Sequence, residues 1–421
     1  MLSREDNEIL TRVGPGTPMG ELMRRFWTPV ALVSEFGGPD SAPVRVNVLG
    51  EKLVGFRDTS GAIGLIDAYC PHRRANLYWG RNEQHGLRCV YHGWKFDRHG
   101  QCTDLPNCPE GPNLAPRVKT KAYPTLERGG LVWAYLGPAE LQPEFPHFEC
   151  FKTPEKRGYI TKIIAKGNYL QLQEGDVDSS HVSFLHSRLD SDPLPGSRVD
   201  PNTFADRQPR WFPTETDYGL MLTAQRNAGP DHYQWRINQY LLPYITMIAA
   251  PPGLPILHQI RTPVDDETSM HFRAFIHPER EITADELATF EAGVIAPKMI
   301  PGTFTMVENM ENEYLIDRDD QHTTTYTGIR SIVAQDLAVV QDQGGGWIAD
   351  RSLEYLVSSD RAIIMLRKRL LTAAKNLMKG IEPPEVRNTN SVAVRPGDFK
   401  LPRDVPFVDG AREHGLVGAG V

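Results

Sequence analysis

Cys70-Pro71-His72 is followed, after sixteen residues, by Cys89-Val90-Tyr91-His92. Each short segment offers one thiolate and one imidazole. Four donors of these two kinds suit a [2Fe–2S] cluster in which two histidines replace two cysteines on one iron. That exchange raises the reduction potential well above that of an all-thiolate cluster. Zinc also accepts two Cys and two His, but zinc fingers usually place Cys-x2–4-Cys first and His-x3–5-His afterwards. The chemistry implied is the passage of single electrons.

A second constellation lies downstream in Asp178-Ser-Ser-His181-Val-Ser-Phe-Leu-His186. On a continuous helix Asp178 and His181 would share a face at i, i+3. His186 would lie roughly 140° further round, so the turn must end or distort near Phe184 for both imidazoles to reach one ion. Two neutral imidazoles plus a carboxylate, with positions left open, form the facial triad of non-haem Fe(II) oxygenases. An electron carrier and an iron site in one chain make mechanistic sense together.

The elements that must hold these groups fall into two patterns. Residues 16–33 read as a short helix running into extended chain. From about Val44 to Leu136, short β-type runs broken by glycine (VRVNVLG, KLVGFRD, AIGLIDAYC, LRCVYHGWKFD, GLVWAYLG) predict a small all-β unit with both Cys/His segments on loops. The proline-rich, charged stretch 138–158 reads as a boundary. After it come a strand at 159–166, a helical stretch at 168–187 and β-type runs at 218–227, 233–249, 256–263 and 270–277. Helices are expected over 284–299 and from Ser359 or Asp360 to Lys379, the latter with apolar residues at i, i+3/i+4 spacing. The expectation is an α+β protein divided as 1–43 (docking segment), 44–140 (cluster domain), 141–385 (catalytic domain) and 386–421 (extended C-terminal arm).

A chain of 421 residues with 40% hydrophobic content can bury two cores, and its net charge of −7 disfavours a nucleic-acid surface. Five cysteines do not make a disulfide scaffold; Cys102, Cys108 and Cys150 remain outside the motif and read as reduced thiols of a cytoplasmic protein. Residues 1–10 carry no apolar signal core. The most apolar stretch, 241–257, is interrupted by Pro243, Pro251, Pro252 and Pro255, so no membrane span is expected.

Taken together, the two motifs resemble those of Rieske non-haem iron aromatic-ring hydroxylases, specifically the large oxygenase subunits of the phthalate 4,5-dioxygenase-like branch. The resemblance runs from GPGTPMGELMRRFW at 14–27 through CPHRRANL at 70–77 and RCVYHGWKFD at 88–97. It continues through NYLQLQEGDVDSSHVSFLH at 168–186 and QDLAVVQDQGG at 335–345 to DRSLEYLVSSDRAI at 350–363. One departure is Tyr169, where the branch often has tryptophan; this is expected to affect packing rather than ligation. The resemblance implies a Rieske domain followed by a helix-grip (START-like) catalytic domain. It makes Cys70 and Cys89 ligands of one cluster iron, His72 and His92 of the other. His181, His186 and Asp336 become ligands of a mononuclear Fe(II), with Glu308, Glu311, Glu313, Asp317, Asp319 and Asp320 left as an acidic surface. Asp178 becomes a carboxylate bridge between subunits, linking His92 of one subunit to His181 of the next in a homotrimer, or in a hexamer of stacked trimers.

The implied partners are an NAD(P)H-dependent iron–sulfur flavoprotein reductase, O2 and a small aromatic substrate, with no nucleic acid and no membrane. An aromatic carboxylate such as a phthalate or benzoate would need a cation, and Arg207, Arg210 and Arg236 are the candidates, since a guanidinium grips a carboxylate with two hydrogen bonds. The expected product is a cis-dihydrodiol. A monooxygenase or O-demethylase is the alternative within the class. Outside it stand a Rieske electron-transfer protein without oxygenase activity and a zinc-bearing binding module.

Overall fold

The computed structural model describes residues 2–152, 157–190, 196–413 and 416. The chain divides into two compact units: Gly14–Gly16 with Met23–Pro143, and Met1–Val13 with Thr17–Leu22 and Glu144–Val421. The segment expected to dock as one piece, 1–43, is therefore shared between the units. Among the described residues no helix is long and apolar enough to cross a membrane.

The smaller unit is built from short antiparallel strands. One four-stranded sheet orders Val44–Val48, Glu51–Arg57, Ile63–Asp67 and Ala122–Tyr123; another orders Arg81–Glu83, Gly86–Arg88, Lys95–Phe96 and Cys102–Asp104. A third, three-stranded sheet centres on Leu131–Tyr135. Val54, Phe56, Ile66, Leu77, Leu87 and Phe96 form a core that also takes in Cys70 and Cys89. The two thiols are thus held from the core side, while Pro71, Arg73, Val90 and Tyr91 are exposed.

The larger unit is an antiparallel eight-stranded sheet with helices. Its strands run in the order Gly158–Lys166, Thr268–Ile276, Ile256–Pro263, Ile245–Ile248, His232–Leu241, Gly219–Asn227 and Arg210–Thr216. Gly397–Pro402 pairs with His232–Leu241 as the eighth, so the C-terminal stretch is not simply an extended arm. Phe399 and Leu401 bury against Trp235 and Ile237, which is what draws that strand in. Gly219–Asn227 is buried at every residue but the last, as a strand covered on both faces must be. Edge strand Arg210–Thr216 is largely exposed instead.

The helix Tyr169–Val177 packs on Ile245–Ile248 and Ile256–Pro263 and against the helix Ile332–Val340. Asn168 caps it, its Oδ1 accepting the Leu170 N–H at 3.1 Å. Nearly all of this helix is buried, so its polar residues must find partners inside the protein. Gln171 donates to Val340 O at 2.6 Å, tying the two helices together. Glu174 receives Arg351 at 2.9 Å and Arg367 at 2.6 Å, and Asp176 receives Arg261 at 2.6 Å. Tyr169 is fully buried and donates its hydroxyl hydrogen to Leu10 O.

Candidate metal centres and substrate cavity

The two Cys/His segments adopt matching tight turns. Arg74 N–H donates to Cys70 O and Gly93 N–H to Cys89 O, both at 2.9 Å. Gly93 has φ +80°, and a Cβ there would lie 2.6 Å from Pro106 Cγ, so the second turn needs glycine on both counts. Cys70 and Cys89 are 2% and 3% exposed. Burial pushes the Cys70 thiol up to about 11, opposed by the backbone N–H groups of His72 and Arg73 and reinforced by Cys89. His72 and His92 meet edge to face, with ring centroids 4.6 Å apart. Thiol thus neighbours thiol and imidazole neighbours imidazole, a segregation that fits two irons with different ligands. Trp94 stacks flat on His72 at 4.4 Å, and its Nε1 donates to Asn107 Oδ1. Val90 and Tyr91 stand 57% and 52% exposed beside His92.

In the larger unit, the helix Tyr169–Val177 stops at Asp178, whose backbone is extended. Asp178 Oδ1 accepts the Ser180 N–H at 2.7 Å and its Oδ2 the His181 N–H at 3.2 Å, forming a side-chain turn that restarts the chain as the one-turn helix Val182–Leu185. His181 and His186 flank that turn of helix. The break expected near Phe184 is therefore preceded by one at Asp178–Ser180, and Asp178 and His181 do not lie on a common helix face. Arg226 fastens the turn by donating to the Ser179 carbonyl at 2.8 Å.

Asp336, on the helix Ile332–Val340, reaches the same point. Ligand atoms of His181, His186 and Asp336 all lie within 4.8 Å of one another. Asp336 Oδ1 stands 3.2 Å from His186 Nε2 and 3.7 Å from His181 Nε2. His186 Nδ1 has an acceptor in Gln335 Oε1 at 2.6 Å, whereas His181 Nδ1 faces Asp178 Oδ2 at 3.5 Å without a hydrogen bond. Two Nε2 atoms and one carboxylate oxygen converging in this way are a chemically suitable donor set for Fe(II). Burial pushes the Asp336 carboxyl up, but His186 and His181 overcome it and hold the group down at about 2. The Asp178 carboxyl is likewise lowered by His181 against burial, and His181 is raised by Asp178 against burial.

These three groups stand between two openings. One is a cavity lined by His181, His186 and Asp336, by Val182, Phe204, Ile248, Leu257 and Ile295, and by Arg198, Arg236 and Arg273. The other shares Asp176, Asp178, His181 and Asp336 and reaches Tyr355, which is 92% exposed. Of the arginines expected at the substrate, Arg236 lines the first cavity but is paired with Asp398 at 3.0 Å. Arg207 lies over the Phe184 ring and Arg210 opens the exposed edge strand; neither is among the residues lining either cavity. Arg198 and Arg273 were not singled out from the sequence. Arg198 donates to Pro255 O, and Arg273 donates to Gln259 Oε1 and Ile295 O. Burial pushes both guanidiniums down to about 10, and neither has a carboxylate partner among the described residues.

The Rieske [2Fe-2S] domain family matches residues 26–124, and the family described as LigXa C-terminal domain like matches residues 134–393. The chain is 37% identical to the phthalate 4,5-dioxygenase oxygenase subunit of Pseudomonas putida, covering 90% of this chain and 88% of that protein. It is 36% identical to the 3-chlorobenzoate-3,4-dioxygenase oxygenase subunit of Comamonas testosteroni, covering 97% of each. The 5,5'-dehydrodivanillate O-demethylase oxygenase subunit of a Sphingobium species is 34% identical, over 92% of this chain and 84% of that one.

Proposed function

The chain belongs to the Rieske non-haem iron aromatic-ring-hydroxylating oxygenases, as a large subunit of the phthalate 4,5-dioxygenase-like branch, and from that membership we propose that it hydroxylates a small aromatic carboxylate. It is an oxidoreductase whose cofactors are a [2Fe–2S] cluster and a mononuclear iron. Cys70, Cys89, His72 and His92 are proposed to hold the first, and His181, His186 and Asp336 the second. When bound, these groups supply single-electron transfer and the activation of O2. A separate NAD(P)H-dependent reductase is the proposed electron source, in keeping with relatives named as oxygenase subunits.

The chain's own residues do the rest. Val182, Phe204, Ile248, Leu257 and Ile295 line the cavity with apolar surface that would accept an aromatic ring and exclude water. Arg198 and Arg273 carry the substrate assignment. Among the described residues the buried Arg273 and the half-buried Arg198 hydrogen-bond to neutral oxygens, which leaves both guanidiniums able to pair with a substrate carboxylate. Arg236, already neutralised by Asp398, shapes the wall instead. The names of two relatives, phthalate and 3-chlorobenzoate dioxygenase subunits, agree with an aromatic acid.

Asp178 is proposed as the carboxylate between subunits. Its Oδ2 faces the outer nitrogen of His181, and the cavity it shares leads to the exposed Tyr355. On the other unit, exposed Val90 and Tyr91 adjoin His92. Apolar side chains left in water beside each metal motif favour the cluster tip of one copy seating on the next copy's iron site, in a head-to-tail trimer.

Reduced protein in single turnover with O2 tests the assignment on a panel of benzoates and phthalates beside their methyl esters. Free acids should be hydroxylated and esters spared; equal turnover of esters would remove the carboxylate reading. The O-demethylase relative keeps a second outcome open, one oxygen atom rather than two entering the product, which labelled O2 distinguishes.

A further inference from the structure

Gln335 precedes the proposed iron ligand Asp336 and is itself buried, 3% exposed. Its two amide ends have different partners. Nε2 donates to Ile329 O at 2.7 Å, and Oε1 stands 2.6 Å from His186 Nδ1. An amide nitrogen only donates and an amide oxygen only accepts. Rotating the amide by half a turn would set its oxygen against the Ile329 carbonyl, two acceptors at hydrogen-bond distance, so the Ile329 carbonyl fixes the orientation. An acceptor then faces Nδ1, and Nδ1 must carry the ring proton. In a neutral imidazole that leaves Nε2 with its lone pair, and Nε2 is the atom 3.2 Å from Asp336 Oδ1.

We propose that Gln335 is a positioning residue that sets the tautomer of His186 through the Ile329 carbonyl, keeping Nε2 unprotonated and aimed at the metal. This rests on the reading of His186 as an iron ligand. His181 Nδ1 instead faces the carboxylate of Asp178 at 3.5 Å, without a hydrogen bond. The pair is therefore asymmetric: one histidine stands near a charged group and the other is bonded to a neutral one. A carboxamide at position 335 orients the ring without adding a further anion to a pocket that already holds Asp176, Asp178 and Asp336. Groups of this kind typically affect metal affinity by about 10–100-fold.

The test uses full-length protein with an intact, oxidised and hence EPR-silent cluster, its mononuclear iron removed by chelation. Fe(II) is then titrated anaerobically, with nitric oxide as the reporter through its S = 3/2 EPR signal. Gln335→Leu should weaken Fe(II) binding by about 10–100-fold and alter the rhombicity of the signal. Gln335→Glu keeps an acceptor at Nδ1 and, with a proton on its other oxygen, a donor to Ile329 O, so it should bind within threefold of the parent. If Gln335→Leu titrates like the parent, the proposal is overturned. Equal weakening in the Leu and Glu variants overturns it too, because the acceptor at Nδ1, kept in the Glu variant, would then make no difference. Should Gln335→Leu fail to fold with its cluster, Gln335→Met takes its place with the same outcomes. His186→Ala serves as the reference: retention of tight Fe(II) binding there would remove the ligand reading itself, separately from the role of Gln335.

Discussion

Asp178 Oδ2 lies 3.5 Å from His181 Nδ1, while the same carboxylate closes the turn that ends one helix and starts the next. One side chain thus shapes the backbone around the proposed iron ligand and sets a negative charge beside its ring.

Asparagine at 178 keeps an acceptor for the Ser180 N–H and removes the charge. Asp178→Asn is expected to retain both metals while hydroxylation falls by at least about 10-fold. Metal analysis together with steady-state turnover checks this, and normal turnover would exclude the bridging role.

Truncating Arg198 removes a guanidinium whose described partner is a carbonyl. Arg198→Leu should raise KM for the acid substrate by about 10–100-fold, the equivalent of a charge-assisted hydrogen bond of about 1.5–3 kcal/mol. Arg207→Leu and Arg210→Leu, at exposed positions, should leave KM unchanged, and initial-rate kinetics on all three variants make the comparison.

Glu174 sits between Arg351 and Arg367. Burial pushes its carboxyl up, but the two guanidiniums prevail and hold it below the ordinary carboxylate value. A depressed folded pKa stabilises the fold at pH values above the ordinary carboxylate range, and this stabilisation is lost as pH falls through the folded value. Glu174→Gln should destabilise the protein by about 3–5 kcal/mol near neutrality, because two buried cations lose their anion. It should also flatten the acid limb of a plot of thermal midpoint against pH.

Cys89 and Cys70 are buried in one apolar core. Cys89→Ser is expected to abolish the visible iron–sulfur absorption and lower the iron content from about three to about one per chain. Fe(II) binding at the mononuclear site should persist, which the nitric oxide EPR signal would report.

Local spacing made the cluster motif and the His181/His186 pair readable, because their donors lie a few residues apart in the chain. Asp336 had no such local signal. It lies well over a hundred residues from His186, and only the resemblance to a known family pointed to it. Asp178-Ser-Ser did carry a local sign of the helix break, since all three residue types favour turns over helix interiors. Arg236 could not be placed from alternation, because the strand His232–Leu241 is buried along nearly all its length and so shows no polar face. Arg198 follows a stretch rich in proline and glycine with no periodicity to place it. The C-terminal strand was hidden in a segment whose Pro and Gly content reads as loop, although Phe399 and Leu401 keep the two-residue spacing of a half-buried strand.

Asp398, which neutralises the buried Arg236, is translated 162 residues after it. Until that strand emerges from the ribosome, a cavity wall of the larger unit holds an unbalanced cation beside an open sheet position. The smaller unit is complete by Pro143. During synthesis the smaller unit can fold first, and the wall of the proposed substrate cavity is complete only near the end of translation.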